Sequence, residues 1–324
     1  MAHVSALGSF PTPVELLEPL STGTTSLWIK RDDLTHPEYG GNKLRKLGRV
    51  LGDARESGAT RLVTVGAVGS HHVLSTGIFG KRAGFEVEAV VLRQPQSEHV
   101  LETLRASVGQ GVRLVPADSY SEAARHLAAS AANGAYLIPA GGSSRLGTLG
   151  VLDAATELAA QVRAGALPEP DLLVVALGSG GTVAGLLAGL AHSGLRTRVL
   201  AVAVAEPIKA FAHKARALAK ELVDDPLRQH VLGRLEIERR YIGEGYGYAT
   251  DAGKRAQSLA SGLGLPLDAT YTAKAFAAAL ERVALGAERH ILFWHTLSSA
   301  PVAPLLRAAP LESDLEPSLR RLAY

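Results

Sequence analysis

The 324-residue chain contains no cysteine. That excludes disulfides, thiolate nucleophiles, zinc–thiolate sites and iron–sulfur clusters. Net charge is also scarce: 34 Lys and Arg against 31 Asp and Glu leave +3 with histidine neutral. Over this length the field is weak, and basic residues cluster little beyond pairs such as Lys30-Arg31, which argues against a nucleic-acid partner. Met1 to Phe10 lacks a basic segment followed by an apolar core, so no secretory signal is expected and the cytoplasm is the expected location. The G-x-S-x-G elbow of Ser-His-Asp hydrolases and the Gly-Lys-Ser/Thr ending of a Walker loop are both missing. No internal repeat is visible, which argues against a solenoid.

One uncharged run, residues 172–191, has the twenty-residue length of a membrane span. It holds Gly178, Gly180, Gly181, Gly185 and Gly189. The first three, with Ser179 and Thr182, form a cluster that breaks one long helix into strand, turn and helix. No membrane partner is therefore expected.

The remaining composition, 47% apolar and 20% charged, belongs to a folded globular protein. Its length suits two domains or one large α/β unit. Short apolar runs at residues 27–30, 61–65, 86–92, 112–115, 136–138, 172–177, 199–205 and 291–294 read as buried strands. Ala/Leu-rich stretches at 43–57, 75–83, 121–132, 150–161 and 182–191 have helical spacing. Their alternation implies a parallel sheet covered on both faces. The loop at 163–170, with two prolines, is a candidate domain joint, and 213–236 is helical in pattern.

Four segments carry groups suited to chemistry. Gly178-Ser179-Gly180-Gly181-Thr182 stands between a strand and a helix, where bared backbone and the positive end of the helix favour a phosphate. A nicotinamide reading stays open, with Glu206 as the ribose-binding acid, although Val183 replaces the third glycine of that fingerprint. In Gly40-Gly41-Asn42-Lys43, Asn42 can cap a helix and Lys43 falls in its first turn. The helix dipole disfavours a cation there, and a neutral amine can attack an aldehyde. A solvated lysine is the plain alternative. Ser70, after Gly66-Ala-Val-Gly69, would sit near another helix start, as an anion site or a simple cap. His71 and His72 point in different directions, so joint metal ligation is not expected. The fourth segment runs from Asp268 through Tyr271 and Thr272 to Lys274, followed by residues 293–301. Tyrosine can act as a general acid or base, and threonine can hydrogen-bond a ring nitrogen.

Taken in order, these segments resemble pyridoxal-phosphate enzymes of the tryptophan-synthase-β type, and among them the 1-aminocyclopropane-1-carboxylate deaminase / D-cysteine desulfhydrase family. The resemblance begins at FPTPVE and continues through LWIKRDDLTHPEYGGNKLRKL, GAVGSHH, IPAGGSSRLGTLG, ALGSGGTVAG, IGEGYGYATDAG, LDATYTAKAF and ILFWHT, covering nearly the whole chain. It implies an α/β fold of type II: two domains with twisted, mostly parallel sheets, helices on both faces, and pyridoxal 5'-phosphate in the cleft between them. Residues 46–154 would form an inserted small domain, with 1–45 and 155–324 as the large one. A homodimer is also implied.

Carried over, the resemblance makes Lys43 the Schiff-base lysine. Gly178, Ser179, Gly180, Gly181 and Thr182 would hold the phosphate, with Lys46 nearby. Thr272 would face the pyridine nitrogen and His71 the phenolic oxygen. Ser70, His71, Tyr246 and Thr296 would contact a small amino-acid substrate, and Tyr271 would be the catalytic tyrosine alongside Lys43 and Ser70. Family deaminases carry glutamate at the position of Thr272 and leucine at that of Thr296, so the two threonines look like the desulfhydrase side. A neutral threonine gives a weaker electron sink, which suffices when thiolate leaves.

The implied reaction is β-elimination from D-cysteine to pyruvate, ammonia and sulfide, with Lys43 removing the Cα proton. Alternatives are another amino acid on the same fold, by ring-opening deamination or a biosynthetic replacement, or a non-catalytic pyridoxal-phosphate-binding protein. Departures cluster at the expected site: Ser70-His71-His72 for Ser-Asn-His, Leu297 and Ser298 for two glycines, Glu244 for proline, and Ser144 for asparagine.

Overall fold

The computed structural model describes residues 7–323. Residues 1–6, most of the stretch read for a secretory signal, lie outside the described residues. The strands are β1 (Val14–Leu16), β2 (Ser26–Lys30), β3 (Arg61–Ala67), β4 (Glu86–Leu92), β5 (Arg113–Pro116), β6 (Tyr136–Ile138), β7 (Leu172–Leu177), β8 (Arg198–Ala203), β9 (Leu235–Glu238) and β10 (His290–Trp294). The α-helices are α1 (Lys43–Glu56), α2 (His71–Arg82), α3 (Glu98–Gly109), α4 (Tyr120–Ala132), α5 (Arg145–Arg163), α6 (Gly181–His192), α7 (Ile208–Glu221), α8 (Asp225–Gly233), α9 (Asp251–Ser261), α10 (Thr272–Leu285) and α11 (Pro317–Leu322).

Two compact units result. The larger comprises Gly8–Arg45 and Thr148–Ala300; the smaller comprises Leu7, Lys46–Gly147 and residues 301–323. The larger unit's sheet runs β1-β2-β10-β7-β8-β9, parallel except for β1 against β2. Its central strands are apolar at successive positions because each face is buried. In β7, Leu173, Val175 and Leu177 enter one core with residues of α5, α6, α7 and α8. Leu172 and Val174 enter the opposite core with residues of α9 and α10. The uncharged run at 172–191 is thus β7, the glycine turn and α6. A Cβ on Gly185 or Gly189 would lie 2.5 Å from Val151 or Ala155 on α5, so these glycines let the two helices pack closely. No helix among the described residues is long and apolar enough to cross a membrane.

The smaller unit's sheet is β5-β4-β3-β6, all parallel. Residues 301–323, expected in the large domain, group with this unit. Gln94 N donates to Leu322 O (3.1 Å), and Arg105 Nε donates to Pro310 O (2.8 Å). The unit boundary near α5 falls at 147/148 rather than 154/155. The proline loop at 163–170 lies inside the larger unit and is not a joint.

Two strands differ from expectation. The run 213–236 is not one helix: α7 ends at Glu221, α8 begins at Asp225 with Pro226 in its first turn, and Leu235 then pairs with Val199 as the start of the edge strand β9. The three-residue β1 is too short for a periodic signal and is fixed by pairing with β2.

A buried polar cluster ties the chain's early segments together inside the larger unit. Asp32 accepts a two-point bond from Arg45 (Nη2 2.7 Å, Nε 2.9 Å) and one from Trp294 Nε1 (2.8 Å). Arg45 Nη1 also donates to Glu157 Oε2 on α5 (3.0 Å), and Lys30 Nζ donates to Thr12 O (2.7 Å) and Gln161 Oε1 (2.7 Å). Such charges are stable underground only when every partner is present. Asp32→Ala leaves the Arg45 guanidinium buried without its main counter-charge. It is expected to lower unfolding free energy by about 3–5 kcal/mol in urea titration, whereas a loss near the ~1 kcal/mol of a surface pair would show the cluster to be solvated.

Candidate active site

Lys43 opens α1, and the turn before it is fixed by backbone contacts. Gly41 N donates to Asp32 O (3.0 Å), and Asn42 N donates to Thr296 O (3.2 Å). Gly41 has φ +94°, and a Cβ there would lie 2.7 Å from Thr296 O, so only glycine threads this gap without strain. Two residues further on, Arg45 is held by Asp32 and Glu157. Lys43 Nζ donates to Asn42 Oδ1 (3.0 Å), and Asn42 Nδ2 donates to Thr182 Oγ1 (2.9 Å). One hydrogen-bonded line therefore runs from the amine to the glycine loop. Asn42 reads in sequence only as a cap; its bridging amide depends on a contact 140 residues away.

The loop Gly178 to Thr182 follows β7 and opens α6. Gly180 caps the helix at φ +92°, and a Cβ on it would lie 3.1 Å from Phe211 O. A Cβ on Gly178 would lie 3.0 Å from Tyr271 Cε1, so the tyrosine ring rests on the loop. A helix start bared in this way is a fitting cradle for a phosphate. Glu206, the acid of the nicotinamide reading, instead accepts from Ile208 N (2.7 Å) at the start of α7.

Asp268 organises the start of α10. Its Oδ2 accepts from the N–H groups of Thr270 (3.0 Å) and Tyr271 (2.8 Å); Oδ1 accepts from the N–H (3.0 Å) and hydroxyl (2.6 Å) of Thr272. The Thr272 proton is thus committed to a carboxylate. Tyr271 Oη donates to Tyr246 Oη (2.9 Å), with the rings edge-to-face at 5.7 Å. Asp268 was not among the expected site residues, although an acid three positions before Tyr271 is a recognisable cap signal.

Burial lowers the Lys43 amine to about 8, and the Asp268 charge opposes that shift. Lys274 is lowered to about 8 by the same two opposing causes. His295, fully buried beside Phe293, is pushed down by burial. Tyr39 is pushed up by burial and then by Asp268.

Ser70, His71 and Lys46 belong to the smaller unit. Ser70 Oγ caps α2 by accepting from Val73 N (3.4 Å), which uses a lone pair and not its proton. A Cβ on Gly66 would lie 2.8 Å from that Oγ, so Gly66 makes room for it. His71 Nε2 lies 3.1 Å from His99 Nε2, an imidazole pair 28 residues apart that no local pattern signals. His72 Nε2 meets Thr64 Oγ1 at 2.9 Å, which confirms that the two adjacent histidines diverge. Lys46 Nζ donates to Gly141 O (3.0 Å). Lys43, Gly178 to Thr182, Tyr246, Tyr271, Thr272 and Thr296 all belong to the larger unit.

Residues 6–296 match the family described as pyridoxal-phosphate dependent enzyme. A Pyrococcus furiosus protein provisionally named a 1-aminocyclopropane-1-carboxylate deaminase is 36% identical, over 90% of this chain and 93% of its own. The nocardicin C-9' epimerase of Nocardia uniformis subsp. tsuyamanensis is 35% identical over 88% of this chain and 90% of its own. D-cysteine desulfhydrase of Salmonella newport is 32% identical over 88% and 91%. A crystal structure of an ACC deaminase homologue superposes with TM-score 0.77 and 32% identity, covering 90% of each chain.

The lowered Lys43 amine sets a measurable pH dependence. Only the neutral amine attacks an aldehyde, so reductive methylation of Lys43 in cofactor-free protein should rise with pH about a midpoint near 8. Asp268→Asn removes the charge that holds the proton on, so its midpoint should move lower. Peptide mass spectrometry across pH reads both. An unchanged or higher midpoint in the variant would contradict the electrostatic account.

Proposed function

Because this chain belongs to the family of pyridoxal-phosphate dependent enzymes, in its 1-aminocyclopropane-1-carboxylate deaminase / D-cysteine desulfhydrase group, we propose that it is a lyase eliminating the β-thiol of D-cysteine. Water enters, and pyruvate, ammonia and hydrogen sulfide leave. The observation that carries the reading is the line Lys43–Asn42–Thr182, which couples a near-neutral amine to a glycine loop fit for the cofactor phosphate. Bound pyridoxal phosphate supplies the electron sink that makes a Cα–H acidic.

In this proposal Lys43 Nζ would hold the cofactor until the substrate amine displaces it, and the freed amine would take the Cα proton. Gly178, Ser179, Gly180, Gly181 and Thr182 would hold the phosphate, with Lys46 adding charge. Tyr271 Oη, in contact with Tyr246 Oη, delivers a proton to the departing thiolate. Ser70 Oγ and the start of α2 bind the substrate carboxylate. His71 would serve the cofactor's phenolic oxygen, and Thr296 would contact the substrate. Thr272 stays uncharged at the ring nitrogen, which favours a good leaving group such as thiolate over ring opening. The proposal includes cytoplasmic residence and a homodimer, with no nucleic-acid partner.

Incubation of the cofactor-loaded protein with D-cysteine should release sulfide and pyruvate in equal amounts. Tyr271→Phe should slow this by roughly 10²–10⁴-fold, the range of a lost general acid. Loaded protein that releases no sulfide would reject the substrate. Ring opening of 1-aminocyclopropane-1-carboxylate, or inversion at Cα without elimination, would reassign it to a sibling reaction.

A further inference from the structure

Lys274 is fully buried on α10, three residues after Tyr271, and no role above requires it. Its ammonium donates to two backbone carbonyls, Ile242 O (2.8 Å) and Gly245 O (2.9 Å). Both belong to the segment that carries Tyr246. That segment has no regular secondary structure, and Gly243, Gly245 and Gly247 all lie at positive φ (61°, 122° and 86°). Backbone of this kind is costly to order, and a glycine-rich turn loses the most freedom. Its carbonyls also need donors once they leave water. Residues three apart on a helix share a face. The start of α10 thus presents the phenol of its N-cap residue Tyr271 to Tyr246, and the Lys274 ammonium to the backbone on either side of the turn that leads to Tyr246.

We propose that Lys274 is a positioning residue that clamps the loop at 242–247, so that the Tyr246 and Tyr271 hydroxyls meet at 2.9 Å. The catalytic part of this proposal rests on the reading of Tyr271 as the acid. The structural part does not. An apolar side chain at 274 would satisfy helix packing but leave two carbonyls without their donor. Charge-assisted bonds are the stronger kind, so their loss should release the loop rather than merely soften it. Burial brings the amine to about 8, against the pull of Asp268, so the fold retains this ammonium at a cost that a plain core position would not bear.

The test is Lys274→Met in the full-length holoenzyme, read in two independent ways. Amide hydrogen exchange of the 242–247 peptide should speed up by about ten-fold or more while the centre of α10 keeps its protection. Sulfide release from D-cysteine should fall by about ten-fold, yet the same substitution on a Tyr246→Phe background should cost less than about two-fold further, because both changes break one coupling. Gly245→Ala, which meets no atom within 4 Å but strains a backbone at φ +122°, should reproduce both effects if Lys274→Met does not fold. Unchanged loop exchange in a folded variant overturns the clamp whatever the substrate is. Faster exchange with full activity, or an equal loss on both backgrounds, overturns the positioning role. Wild-type protein that makes no sulfide fails the functional reading alone, and the exchange result then decides the clamp.

Discussion

The candidate site turns on one buried carboxylate, Asp268. Four hydrogen bonds from the start of α10 converge on it, fixing where Tyr271 and Thr272 stand. Its charge also reaches Lys43, Lys274, Tyr39 and His295. For the two lysines, burial and Asp268 pull in opposite directions, and burial wins by enough to bring amines of ordinary value 10.5 to about 8. An amine at that level is a usable nucleophile and base near physiological pH without being permanently stripped of its proton.

Around that carboxylate, the scaffold works by removing side chains as much as by placing them. Gly41 lets the turn before Lys43 pass Thr296 O, and Gly178 lets the Tyr271 ring lie on the phosphate loop. Gly185 and Gly189 draw α6 against α5, which also carries Glu157 into the cluster holding Arg45. The chain that aims Lys43 therefore extends from the core packing of α6, through a buried ion cluster, to the first turn of α1.

Much of this was legible in the sequence, for definable reasons. Central strands stand out because both faces are covered: β7 is apolar at every position, and β10 is apolar from Ile291 to Trp294. Lys43, the glycine loop and Tyr271 stood out because each lies at the start of a helix with its own local signature. The bridging amide of Asn42 and the contacts of Lys274 were not, since they are made only after folding; Lys274 Nζ meets carbonyls 32 and 29 residues away, whereas Asp268 bonds its near neighbours Thr270 to Thr272, a local cap signal. The placement of residues 301–323 was equally invisible, because it rests on long-range bonds to two carbonyls, from Gln94 N to Leu322 O and from the Arg105 side chain to Pro310 O. The run at 213–236 misled because its charged residues continue across the gap between Glu221, where α7 ends, and Asp225, where α8 begins.

The central claim is that Lys43, joined through Asn42 to Thr182, carries the cofactor. Borohydride reduction of the purified yellow holoprotein, followed by peptide mapping, tests it most directly. The account predicts that reduction bleaches the visible band and leaves one phosphopyridoxyl label, on Lys43. A label on Lys46 or any other lysine, or colourless protein that takes up no pyridoxal phosphate, would contradict it.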